Sequence, residues 1–92
     1  MSEDQLEMLI TQTINGAIAT IPSYLEEIEE NKEILKVENP KEFVYGVVMG
    51  MALGMSGAIL SAQKGMPTQE DQIKVRDIVY KYIPDIREKI FN

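Results

Sequence analysis

Acid–base or nucleophilic chemistry in this chain would have to come from carboxylates, lysines, tyrosines and serines, because its 92 residues include no histidine and no cysteine. That removes the commonest general base and metal ligand, the Ser-His-Asp arrangement and the Glu-x-x-His pairs of di-iron bundles. It also removes thiol nucleophiles, disulfides and iron–sulfur ligation. The densest carboxylate group is Glu26, Glu27, Glu29, Glu30 and Glu33. Such a cluster could attract a hard cation, but it lacks the glycine turn and alternating ligands of a calcium loop. Lys32 and Lys36 stand three residues from Glu29 and Glu33, which is the pattern of a solvated helix face. No constellation reads as a catalytic set. The chain is therefore read as non-enzymatic, with no cofactor and no metal site.

The spacing that carries most information belongs to small residues instead. Phe43 to Gln63 is uncharged throughout, and within it Gly46, Gly50, Gly54, Ala58 and Ala62 recur at every fourth position. Gly57 and Ser61 form a second small pair beside them. On a helix, positions four apart share one ridge, so this column is a groove almost free of side chain. The four glycines 46, 50, 54 and 57 cost such a helix about 4 kcal/mol relative to alanine. Close approach of another backbone along the groove would offset that cost through van der Waals and Cα–H···O contacts. These seven small residues are the candidate interface, filled either from within the chain or by another copy. Met49, Met51 and Met55 lie on the same helix. Flexible thioethers fill irregular core gaps, and they also make adaptable apolar surfaces, so the three form a candidate groove for an apolar ligand or a partner helix.

Three helical elements must position these residues. Ser2 with Gln5 is a capping-box pair, and apolar residues follow at Leu6, Ile10, Ile14, Ala17, Ile21, Leu25 and Ile28. A helix is predicted over 3–36, kinked or restarted at Pro22. Asn39 as N-cap with Pro40 in the first turn predicts a central helix over 40–63. The turn Gly65-Met66-Pro67 and the pair Thr68 and Asp71 start a third helix over 68–91, bent near Pro84. Its apolar stripe is Val75, Val79, Tyr82, Ile86 and Ile90. The predicted fold is all-α: residues 1–92 as one small bundle of three main helices, with a glycine-lined central helix and proline kinks in the first and last.

Charge bounds the partners. The net charge is −6, and residues 1–42 hold ten of the fifteen acids against three lysines, whereas residues 64–92 hold six bases against five acids. An acidic chain lacks the footprint for phosphate-backbone binding, so nucleic acid is excluded as a partner. The acidic first third can face the mildly basic last third, within one chain or between two. A chain this short also has a thin stability margin, which a partner chain would enlarge.

The uncharged run is long enough to span a bilayer, which takes about 20 residues, and small residues four apart are typical of membrane helix pairs. Four glycines, Ser56, Ser61, Gln63 and Tyr45 dilute its apolar content, and both flanks are amphipathic helices that need something to cover. The acidic, polar N-terminus has no basic-then-apolar leader pattern. The leading expectation is a cytoplasmic, self-associating helical module, a homodimer through the central helix, with an unidentified protein partner as a further option. A single-span membrane protein and a carrier of a small apolar molecule are the alternatives.

Overall fold

The computed structural model describes residues 2–92, which form six helical segments and no strand. They are α1 (Glu3–Ala19), α2 (Ile21–Glu30), α3 (Lys32–Leu35), α4 (Pro40–Lys64), α5 (Gln69–Lys81) and α6 (Ile83–Phe91). Local chemistry sets the starts. Ser2 and Gln5 exchange both bonds of a capping box ahead of α1, at 3.1 and 3.2 Å. Thr68 and Asp71 do the same ahead of α5. Asn39 accepts from the Glu42 amide at the head of α4. Each bond satisfies an amide that has no partner within its helix.

Pro22 and Pro84 lie in the first turns of α2 and α6, so the chain restarts at Thr20 and Tyr82. A further interruption, not anticipated from the sequence, falls at Asn31, and the helix then ends at Lys36 as the sequence predicts. There Lys36 takes a left-handed conformation (φ 57°) while its amide and that of Val37 bond back to Glu33 and Lys32 carbonyls. This is a Schellman-like ending with lysine where glycine is usual.

Helix α4 packs against α1, α2, α5 and α6. At 25 residues it is about 37 Å long by ideal rise, close to the 43 Å long axis of the molecule. Its fully buried residues are Val44, Val48, Ala52, Ser56 and Leu60, a strict four-residue column. A four-residue step on a 3.6-residue helix drifts about 40° each time, so the buried column winds around α4. The segments packed on it are interrupted at Thr20 and Tyr82. Two core clusters result. One joins Ala17, Ile21 and Ile28 to Val44, Val48, Ile86 and Ile90; the other joins Ile10 and Ile14 to Ala52, Leu60, Val75 and Val79. Ile18, Met49 and Tyr82 touch both.

Ion pairs show the relative direction of the segments. Glu3 meets Lys74 at 3.0 Å and Glu7 meets Lys81 at 3.5 Å, so α1 and α5 run parallel. Arg87 of α6 reaches Glu42 at the head of α4 at 3.0 Å, and its guanidinium lies 4.7 Å from the Tyr45 ring centre. These contacts join the acidic first third to the basic last third within one chain. Hydrogen bonding to Lys74, with that charge, lowers the Glu3 carboxyl below its ordinary value of 4.5. Asp71 is held below its ordinary 3.8 chiefly by the Thr68 amide.

Candidate functional site

The small-residue column stands two positions from the buried one, and two positions on a helix are about 200° apart. Gly46, Gly50, Gly54, Ala58 and Ala62 therefore run along the side of α4 opposite Val44, Val48, Ala52, Ser56 and Leu60. All five are exposed, as is Ser61, while Gly57 is half-buried. A Cβ placed on Gly46, Gly50, Gly54 or Gly57 would meet no atom within 4 Å beyond its chain neighbours and the adjoining backbone of its own helix, among the described residues. The groove is thus not filled from within. Its glycines make no close approach within the described chain that would require them, although each lowers the helix propensity of α4.

The open face is broad and uncharged. Beside the column lie Phe43, which is 40 % exposed, and Met55, which is 51 % exposed. The total accessible surface is 5972 Å². A compact monomer of 10.4 kDa would expose about 5,400 Å², so roughly 600 Å² is surplus. The radius of gyration is 14.5 Å, where about 12 Å is typical for this length. Both quantities follow from an elongated shape, with extents of 43 × 23 × 17 Å.

The three methionines do not share one groove. Met49 packs against both core clusters and Met51 against the first, from positions about 200° apart on the helix. Met55 is open to solvent near the small-residue column.

Two features escaped the sequence reading. Ser56 is fully buried, and its Oγ has no hydrogen-bond partner among the described residues. The recurrence of Val44, Val48, Ala52 and Leu60 around it is a legible signal for the buried column. The second is an apolar cleft of about 340 Å³ where α2 and α3 meet the head of α4, lined by Tyr24, Ile28, Ile34, Leu35, Phe43 and Val47. The paired apolar residues Ile34 and Leu35, placed beyond the apolar stripe in an acidic stretch, could have pointed to it.

Among the described residues, no three histidine, cysteine, aspartate or glutamate side chains come together in a set that could hold a metal ion. The chain matches no protein-family model, no curated protein and no solved structure.

Proposed function

We propose that this chain is a non-enzymatic assembly module of the cytoplasm: a bundle of three arms, kinked at Pro22 and Pro84, that pairs with a second copy through the open side of α4. The observation that carries this reading is the empty space over Gly46, Gly50, Gly54 and Gly57. Four glycines cost α4 about 4 kcal/mol relative to alanine, and no close approach of another segment of its own chain makes use of them. A second α4 crossing closely on the column would do so, through backbone contact along a ridge without side chains. An apolar face with no ionic group also fits a copy of itself better than a charged ligand.

Sedimentation equilibrium in detergent-free buffer tests this reading directly. Wild-type protein is expected at the mass of two chains, and Gly50→Leu, which overfills the crossing, at the mass of one. A single-chain mass for the wild type would remove the proposal.

A second reading has one observation in its favour. The window within α4 that best fits a membrane span has a mean hydropathy of 1.8 and is only 28 % buried. Lipid could then cover the open side. Against it stand the charges packed along α4: Glu3 with Lys74 and Glu7 with Lys81 at one end, and Glu42 with Arg87 at the other. A spanning α4 in this arrangement would also carry the segments packed along it into hydrocarbon, with the exposed charges of α5 (Lys74, Arg76, Asp77 and Lys81) among them, at several kcal/mol each. Recovery of the protein in the supernatant after high-speed centrifugation without detergent would exclude the span; pelleting with membranes would favour it. A carrier role has less support, since Met49, Met51 and Met55 do not line a common groove.

A further inference from the structure

The two core clusters divide the molecule at one level. Ile10, Ile14, Val75 and Val79 pack with Ala52 and Leu60, so α1, α5 and the second half of α4 form one unit. Ile21, Ile28, Ile86 and Ile90 pack with Val44 and Val48, so α2, α6 and the first half of α4 form another, which Ala17 in the last turn of α1 joins. Helix α1 packs on α5 and α2 on α6, whereas α1 with α6 and α2 with α5 share at most marginal contact.

All three stretches of chain that connect the units are weak at that level. At Thr20 and Tyr82 the amide bonds back only three residues, to Ala17 and Val79, and the proline two residues on has no N–H to give. On α4 the division falls between Val48 and Ala52, where Gly50 lowers helix propensity. Ile18, Met49 and Tyr82 are the side chains that touch both clusters. No ion pair crosses the level among the described residues. Glu3 with Lys74, Glu7 with Lys81 and Lys64 with Asp71 lie in the α1–α5 unit, and Glu42 with Arg87 in the α2–α6 unit.

The units are not equally secured. Helices α1 and α5 begin with capping boxes, while α2 and α6 begin without a side-chain cap and are shorter, at 10 and 9 residues against 17 and 13. The last turn of α2 holds Glu27, Glu29 and Glu30 and no base, so negative charge gathers at the negative end of its dipole. From this coincidence of breaks we infer that the chain is built as two units joined at the level of Thr20, Met49 and Tyr82, and that the α2–α6 unit opens while the α1–α5 unit stays folded. Such an opening uncovers Ile28, Val44, Val48, Ile86 and Ile90 without unfolding the rest. A domain of this size otherwise opens all at once. The inference does not depend on pairing through α4.

Native-state hydrogen exchange tests it, read amide by amide on the whole dilute protein over a series of low denaturant concentrations. Amides of α2, α6 and residues 44–48 are expected to exchange through one shared opening, more often than those of α1, α5 and residues 56–60. That opening should also depend less steeply on denaturant, because it exposes less surface. Two variants distinguish separate units from a simple gradient of protection. Val75→Ala should raise exchange in the α1–α5 unit about tenfold and leave the α2–α6 unit unchanged, because Val75 stays packed when the latter opens. Ile28→Val should raise exchange in both units by one common factor, about two- to tenfold, because the packing of Ile28 is lost in either opening. A single opening shared by all core amides, or a Val75→Ala effect as large in α2 and α6 as in α5, would overturn the proposal.

Discussion

The two sides of α4 share a period and differ in almost everything else. Val44, Val48, Ala52, Ser56 and Leu60 recur every four residues and are sealed from water; Gly46, Gly50, Gly54, Ala58 and Ala62 recur every four residues and face it. Their side-chain volumes run opposite to simple expectation for a small-residue groove. The chain uses its larger residues to hold its own segments and leaves its smallest ones uncovered. A column of glycines invites contact at backbone distance, and the internal segments stand on the other side, on valine, alanine, serine and leucine. The small column is therefore not a device for folding the isolated chain. Its glycines weaken the helix they sit in, and the proposed contact between copies would give them a use.

The largest effect expected from this contrast lies on the sealed side. Leu60→Ala removes a fully packed side chain from the second core cluster and should cost about 2–5 kcal/mol in urea denaturation. Ala58→Leu, two positions away on the open side, should leave the stability of dilute protein within about 0.5 kcal/mol of wild type. Equal losses from both would show that the two sides are not distinct.

The glycines give a test by sign. The triple variant Gly46→Ala, Gly50→Ala, Gly54→Ala should stabilise dilute, dissociated protein by about 3 kcal/mol, since alanine suits a helix and each new Cβ enters open space. The same variant should weaken association at high concentration, because three methyl groups hold the crossing backbones apart. Denaturation as a function of protein concentration reads both. A stabilised variant that associates as tightly as wild type would rule out close helix crossing on this column.

A smaller gain is expected inside the sealed column. Ser56 Oγ is buried with no partner, so folding takes that hydroxyl out of water without return. Ser56→Ala should raise stability by about 1 kcal/mol, with a matching rise in melting temperature. A loss instead would mean that the hydroxyl is hydrogen-bonded in solution, as to a carbonyl of the preceding turn.

How much of this was readable from sequence follows the range of the interactions. The starts of α1, α4 and α5 were legible because Ser2, Asn39 and Thr68 cap within three residues of themselves. The restarts at Pro22 and Pro84 were legible because proline removes an amide at a known place. The stop at Lys36 matches the predicted helix end, but the break at Asn31 was not legible, since no proline or glycine marks it. Which side of α4 is buried was also hidden. The helix is uncharged all round, and two columns of the same period compete for that role. Only the positions of the other segments decide between them, and those depend on contacts far apart in sequence. The cleft at Ile34 and Phe43 depends likewise on the chain folding back at Lys36.

The smallest effects should separate the two sides by their electrostatics. The segments are tied to one another by exposed ion pairs, whereas the open column has no ionic group. Glu3 and Asp71 have folded-state values below the ordinary 4.5 and 3.8, so their contribution is fully present above those values and is lost as pH falls through the lowered ones. Lys74, raised above its ordinary 10.5 by Glu3, contributes below 10.5 and loses that contribution as pH rises through the raised value. Between those limits these groups add no slope. The two acids should also respond differently to salt. Lys74 is the main cause of the Glu3 shift, and a charge exposed to solvent is screened at 1 M salt. The main cause for Asp71 is the Thr68 amide, a local hydrogen bond that salt weakens far less. Thermal denaturation between pH 3 and pH 7 should therefore show an acid decline that Lys74→Met and high salt each shrink but do not abolish. Association through the open column should not weaken under the same salt, because burial of apolar surface has no charge to screen. If salt dissociated the copies while leaving the acid decline intact, the contact between them would be ionic and would have to lie away from α4's small residues.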